Sequence, residues 1–303
     1  MIENIALNPQ YKFINTSHLT ASEISDLERD FHIDDEIIAY GTDRDESPNY
    51  IYDKTTSDQL LIIQIPRFLD KDDLHYVTQP IEFLIHQDTL FIFNPCDSSI
   101  VKKSLNKLQL NLSKFTNEKV VLALLFELID TFLPVIRQIT HRRNQLDQEL
   151  NKKITNEKLV ELSRLEQSLS FFSSAIILNE SIICRLAQTP FMRTSQETAN
   201  SEMLEDVLVE CRQVKQMVET ELDIVQRITE TFNVIANNNL NDTMKFLTIW
   251  SLILTVPTIV TGFFGMNVGL PWMKVSFAWI IIVVICIILS LWLLLILKFH
   301  KKL

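Results

Sequence analysis

The chain has 303 residues, a formal charge of −10 and 22% charged side chains, an average that reads as soluble. The distribution excludes a wholly soluble protein. All 38 acidic residues lie at or before Asp242, and only five cations follow it: Lys245, Lys274, Lys298, Lys301 and Lys302. Residues 1–242 thus carry −15 and the last 61 residues +5, and all four tryptophans (Trp250, Trp272, Trp279, Trp292) fall in this tail.

In chain order, residues 1–115 alternate short strands and helices and are expected to form a small α/β domain. Residues 11–15 read as a strand. Thr20-Ala-Ser-Glu23 is a capping box opening a short helix, because the hydroxyl and the carboxylate each satisfy a free backbone N–H. Residues 60–66, LLIIQIP, form the continuous apolar run of a central strand. Residues 81–93, IEFLIHQDTLFIF, place two β-rich runs around the polar pair Gln87-Asp88 and predict a hairpin.

From about residue 116 the period changes. The segments 117–151 and 156–188 predict two long helices in an antiparallel pair covering 116–198. A third helix begins near Thr198. Its apolar residues recur at three and four: Leu204, Val207, Cys211, Val214, Val218, Val225, Ile228, Phe232 and Ile235. No Pro or Gly stands between Pro190 and Pro257, so one helix is expected to cover 199–264.

Two uncharged apolar runs close the chain, 246–264 and 275–297. Each is long enough to cross a bilayer, which takes roughly 20 helical residues. They predict a first span at about 245–264, an external loop at 265–274, a second span at 275–297 and a basic tail at 298–303. Lys298, Lys301 and Lys302 place the C-terminus in the cytoplasm, and two spans return the N-terminus to the same side. The segment MIENIALNPQ lacks the basic and apolar regions of a secretory signal. Cys96, Cys184, Cys211 and Cys286 are far apart and predict neither disulfides nor a zinc site. The expected setting is a multi-pass protein of the cell membrane with both termini cytoplasmic.

On a helix turning about 100° per residue, Asn241, Met244, Leu247, Thr248, Ser251, Thr255, Thr258 and Gly262 share a sector of about 120°. The opposite side holds Ile249, Ile253, Val256, Val260, Phe263 and Phe264. Small and hydroxylated residues let membrane helices pack closely. The same stripe could line a pore, with Met244 and Leu247 as an apolar constriction that gates by dewetting. The pattern alone leaves both readings open. A two-span subunit cannot enclose a channel, so a pore requires an oligomer. The stripe carries no charge, which suits an ion that keeps its water, as magnesium does.

At the end of the stripe stands Gly265-Met266-Asn267. Together with MKFLTIWSLILTVPTIVTGFFGMN, two C-terminal spans and a long acidic helical body, this tripeptide resembles the CorA family of magnesium channels. The resemblance implies an α+β cytoplasmic domain, a long α-helical stalk and two transmembrane helices in a funnel-shaped homopentamer. It implies Mg2+ as transported and regulatory ion, with cobalt and nickel as further cargo, and no other cofactor. Gly265, Met266 and Asn267 would form the selectivity loop, Asn267 touching the ion through its water shell. Asn241, Met244, Leu247, Thr258 and Gly262 match the family's pore-facing positions, beside Ser251 and Thr255 of the stripe. Closure by internal magnesium would involve Asp206, with Glu36 or Asp35 as its partner from the N-terminal domain.

Three departures stand out. Thr255 occupies a place where some members carry a larger apolar gate residue, Pro257 sits one position closer to the tripeptide than in some members, and no acid follows Asn267 in the loop. The rival readings are a zinc-transporting relative on the same fold, against which the intact Met266 speaks, and a membrane-anchored coiled-coil scaffold or sensor. The chain lacks G-x-x-x-x-G-K-[ST], G-x-G-x-x-G and H-E-x-x-H, and its six histidines are scattered (His18, His32, His75, His86, His141, His300), so an enzyme is not expected. The expected partners are further copies of the chain, divalent ions and membrane lipid, with Trp272 and Trp279 as interfacial anchors; no nucleic acid is expected.

Overall fold

The computed structural model describes residues 2–5, 12–70, 74–108, 116–152, 154–193, 198–266 and 277–299. They divide into two compact units, Met1–Thr229 and Glu230–Leu303.

The first unit begins with strands β1 (Ile2–Ile5) and β2 (Lys12–Ser17) and helices α1 (Ala21–Phe31) and α2 (Asp35–Thr42). Strands β3 (Asn49–Tyr52), β4 (Gln59–Asp70), β5 (His75–His86) and β6 (Thr89–Asn94) follow. Helices α3 (Ser99–Leu108), α4 (Asn117–Asp130), α5 (Phe132–Lys152), α6 (Asn156–Leu186) and α7 (Pro190–Arg193) complete the series before α8 (Thr198–Phe264) and α9 (Ala278–Phe299). The strands form one sheet in the order β1-β2-β6-β5-β4-β3. Only β2 and β6 pair in parallel among the described strands.

The sheet is buried on both faces. On one, Leu27, Ile33, Ile37 and Ile38 of the α1–α2 segment pack with Ile14, Leu60, Ile62, Leu84, Phe91 and Phe93. The alternate residues Leu61, Ile63, Phe83, Ile85 and Ile92 are equally buried, and α4, α5 and α6 lie against β4 or β5. Burial on both faces explains the unbroken apolar run of β4, where a one-sided strand would alternate. Each such side chain contributes roughly 1.5–3 kcal/mol on leaving water.

The hairpin at Gln87-Asp88 joins β5 to β6, with His86 paired to Thr89. Thr20 and Glu23 form the capping box of α1. The predicted helix 117–151 is in fact two helices, α4 and α5. Pro134 lacks an N–H and its ring crowds the carbonyl four residues back, that of Asp130, where α4 ends.

Strands β4 and β5 are longer than the sequence patterns predicted and contain Pro66 and Pro80. Both prolines lie where one flank has no strand among the described residues. The β3 pairing stops at Ile62, and the β6 pairing starts at Glu82. A proline there forfeits no ladder bond. On the open flank of β4, Asn179 of α6 takes the place of a strand. Its Oδ1 accepts from Gln64 N at 3.0 Å and its Nδ2 donates to Gln64 O at 2.8 Å. Ser168 Oγ likewise accepts from Tyr76 N at 2.9 Å.

Helix α8 is tied to α5 by Arg143–Glu221 at 3.0 Å and to α6 by Lys215–Glu180 at 2.7 Å. Its stripe Leu204, Val207, Cys211, Val214, Val218 and Val225 is buried.

Among the described residues three helices are long and apolar enough to cross a membrane by length and composition: Asn156–Leu186, Asn200–Phe264 and Trp279–Leu297. The first was not expected. In α6, 44% of the apolar window is buried within the protein, against none in the other two, so its hydrophobicity serves the packing against the sheet.

Candidate functional site

The second unit holds the candidate pore stripe. Helix α8 passes through Pro257 and continues to Phe264, so the stripe residues 241–262 keep one helical phase. Met244 and Leu247 are 59% and 65% exposed, and Asn241, Ser251, Thr255, Thr258 and Gly262 are exposed too. A shallow groove on this face is lined by Asn238, Asn241, Asp242, Met244, Lys245 and Thr248.

The hydroxyls have a uniform arrangement. Thr248 Oγ1 donates to Met244 O at 2.8 Å, Thr255 to Ser251 O at 2.7 Å, Thr258 to Leu254 O at 2.9 Å and Thr261 to Pro257 O at 2.8 Å. Each proton is spent on the carbonyl one turn back, a common choice for helical threonine. What each hydroxyl then offers outward is lone pairs. Within the stripe, Thr248, Thr255 and Thr258 form a ladder of neutral acceptors.

Among the described residues glycine at 262 has no steric cause, since a Cβ there would meet nothing within 4 Å beyond its own helix backbone. At Gly265 a Cβ would stand 3.1 Å from Thr261 O, whose oxygen accepts from Gly265 N at 2.9 Å. Met266 N donates to Phe263 O at 3.4 Å, closing the helix end, and Met266 is 48% exposed. Asn267 and the loop through residue 276, including Trp272, lie outside the described residues.

The predicted regulatory acids fall in the first unit. Asp206 borders an apolar pocket of about 220 Å³ between α3, α4 and α8, with Phe126, Glu127 and Met203. One turn on, burial and then the charge of Asp130 push the Glu210 carboxyl up. Asp35 and Glu36 occupy the first turn of α2, where Asp34 caps the helix by accepting from Glu36 N at 2.8 Å. Neither lines the pocket at Asp206. Among the described residues no group of three or more His, Cys, Asp or Glu side chains could hold a metal ion. The commitment of the stripe's hydroxyl protons was not anticipated from sequence, although the i−4 spacing of threonines from carbonyls is present on any helix.

Helix α8 is long and apolar enough to cross a membrane and carries an oxygen-bearing face, features compatible with a membrane transport protein. The profile of the CorA-like Mg2+ transporter protein family matches residues 8–301, and the chain belongs to that family. It is 23% identical over 144 residues to the cobalt/magnesium transport protein CorA of Methanocaldococcus jannaschii, covering 48% of this chain and 45% of that protein. It is 29% identical over 136 residues to the mitochondrial inner membrane magnesium transporter MRS2 of Candida albicans, covering 39% and 29%. The matched stretch thus spans less than half the length of either relative. The complete structure of the CorA magnesium transporter from M. jannaschii superposes with a TM-score of 0.80 at 18% identity, covering 97% of this chain and 91% of that one. At that identity the likeness establishes the fold.

Proposed function

We propose that the chain is one subunit of a homopentameric channel that passes hydrated magnesium through the cell membrane, with 246–264 and 275–297 as its two spans and both termini in the cytoplasm. The observation that carries this reading is the coincidence of the acceptor stripe with Gly265-Met266-Asn267 at the end of the same helix. Packing alone accounts for small residues but gives no reason for the tripeptide to stand there.

Magnesium sheds its waters reluctantly, and the outer hydrogens of its hydration shell need acceptors. A ring of hydroxyl oxygens from several copies of α8 supplies them without a fixed charge that would trap the ion. Met244 and Leu247 would form the apolar constriction, and Asn267 the outer selectivity ring. A glycine at 262 that nothing among the described residues requires fits a close approach between copies. Cobalt and nickel would share the path, and internal magnesium bound near Asp206 with Asp35 or Glu36 would close it.

The test is magnesium uptake into proteoliposomes under an inward gradient. Asn267→Ala should abolish uptake while the oligomer stays intact. No uptake by the native chain sinks the channel reading, and normal uptake by the variant removes Asn267 from selectivity. Competition among magnesium, cobalt, nickel and zinc then ranks the cargo; uptake of zinc in preference to magnesium overturns the choice of ion.

A further inference from the structure

We propose that residues 43–48, the segment joining α2 to β3, form a proton-linked latch: the segment lies closed over Glu82 while that carboxyl keeps its proton and lifts from the sheet when the proton leaves. This inference is independent of the transport reading.

Glu82 stands on the face of the sheet covered by α1 and α2, opposite Ile62 of β4 and Phe93 of β6. It is fully buried, and neither carboxylate oxygen has a hydrogen-bond partner. A buried carboxylate ordinarily gathers donors or a cation, because an unpaired buried charge is expensive. Gln64 shares this face, two residues along β4 from Ile62, but its amide is committed elsewhere. Its Nε2 donates to Glu46 O at 3.1 Å and its Oε1 accepts from Thr78 Oγ1 at 3.1 Å.

The cover over Glu82 is tight. A Cβ at Gly41 would stand 2.7 Å from the ring of Phe93, so the end of α2 rests on the sheet at a distance that glycine permits. Beyond it the chain is held to the sheet by the bond from Gln64 to Glu46 O, and Pro48 is buried.

The charges that act on Glu82 come from this covering segment, Glu46 first and then Asp43, and among the described residues no cation offsets them. Arg44 donates to His18 Nδ1 at 3.3 Å. Asp43 Oδ1 accepts from Asp45 N at 2.9 Å and Glu46 Oε1 from Ser47 N at 3.2 Å. On α2, Tyr40 Oη donates to Glu36 Oε1 at 3.4 Å. Farther along β5, His86 is paired with Asp58 at 2.7 Å. Ionising Glu82 under the closed segment would gather three like charges without water. Lifting the segment takes two of them away and admits solvent. Asp43, Arg44, Asp45 and Ser47 are already exposed, so the movement gives up little buried surface.

The sign follows from the geometry. In the closed form burial, then Glu46 and Asp43, push the carboxyl from 4.5 up to about 9, whereas a solvated Glu82 titrates near the lower value. Between the two, each pH unit raises the ratio of lifted to closed form about tenfold; below both it is constant.

The experiment is hydrogen–deuterium exchange of the full chain in detergent, read by mass spectrometry on peptides covering 39–48 and, as a core reference, 60–66. Exchange detects the lifted form while it is still a small fraction. Comparing native and Glu82→Gln chains at the same pH cancels the intrinsic chemistry of exchange. The native-to-variant ratio for 39–48 should rise about tenfold per unit from pH 5 to pH 8, with 39–48 less protected than 60–66 throughout. Glu46→Gln, which removes the stronger like charge, should slow native exchange of 39–48 severalfold at pH 8, and it provides the test if Glu82→Gln does not fold. A ratio flat with pH, exchange at pH 8 untouched by Glu46→Gln, or equal protection of the two peptides, which would mean global unfolding, overturns the latch.

Discussion

Glu82 offers the sharpest test of the physical account of the first unit. It sits in β5 between Ile62 of β4 and Phe93 of β6, is 0% exposed, and neither of its carboxylate oxygens has a hydrogen-bond partner. Burial, then the charges of Glu46 and Asp43, push its carboxyl from 4.5 up to about 9. The folded chain therefore holds this acid neutral at pH 7, whereas the unfolded chain ionises it near 4.5.

The sign of the effect follows. Below pH 4.5 both states are protonated and Glu82 contributes no pH dependence. Between 4.5 and 9 the folded state binds the extra proton, so stability falls as pH rises, by about 1.4 kcal/mol per unit from this group. From pH 5 to pH 7 the loss is about 3 kcal/mol. Glu82→Gln removes the titration. Unfolding of the full chain in detergent should be followed by far-ultraviolet circular dichroism, because all four tryptophans lie after residue 242 and fluorescence would report the wrong segment. The stability difference between variant and native chain should grow in favour of the variant by about 1.4 kcal/mol per pH unit between pH 5 and 8. A difference that stays constant over that range refutes the neutral buried acid.

Asn179→Ala should destabilise the chain by about 2–4 kcal/mol in the same assay, because it leaves the Gln64 N–H and C=O without partners; a cost below about 0.5 kcal/mol would show that another group covers that flank. Asp206→Lys should weaken closure by internal magnesium, since an acid that binds the ion in one state biases that state; inhibition unchanged in liposome flux removes it from the regulatory site. Thr255→Val keeps the side-chain size while deleting the acceptor made by the bond to Ser251 O. On the pore reading it should lower magnesium flux with the oligomer intact, and full flux would return Thr255 to a packing role.

Much of the first unit was legible because the determining interactions are local. The Thr20–Glu23 box and the Gln87-Asp88 turn are written within a few residues, and the LLIIQIP run signals burial on both faces. The failures have non-local or overlooked causes. Pro134 splits a helix that apolar periodicity alone would continue. The early half of β5 was missed because Pro80 argues against a strand until the absence of a neighbour on that flank is known. The Asn179–Gln64 clasp joins residues 115 positions apart, and no spacing rule reaches that far. In the second unit the stripe was visible because it needs only a regular helix. The contacts that would make it a pore lie between copies of the chain and leave no periodic mark.

The hydroxyl ladder also bears on why an uncharged face could discriminate between ions. In an apolar surround a hydroxyl proton without a partner is costly, so Thr248, Thr255, Thr258 and Thr261 of α8 each donate to the carbonyl four residues back. That local economy fixes the outward polarity of the face: oxygen lone pairs. Water around a cation turns its hydrogens outward and finds acceptors there. Water around an anion turns its hydrogens inward and would present oxygen to oxygen. A helix that merely satisfies its own threonines thus arrives at a cation-favouring wall without a carboxylate. The absence of acidic residues from 243 onward is then compatible with cation passage, and in the proposed channel the burden of choosing among cations would fall on Asn267 and on the hydrated size of the ion.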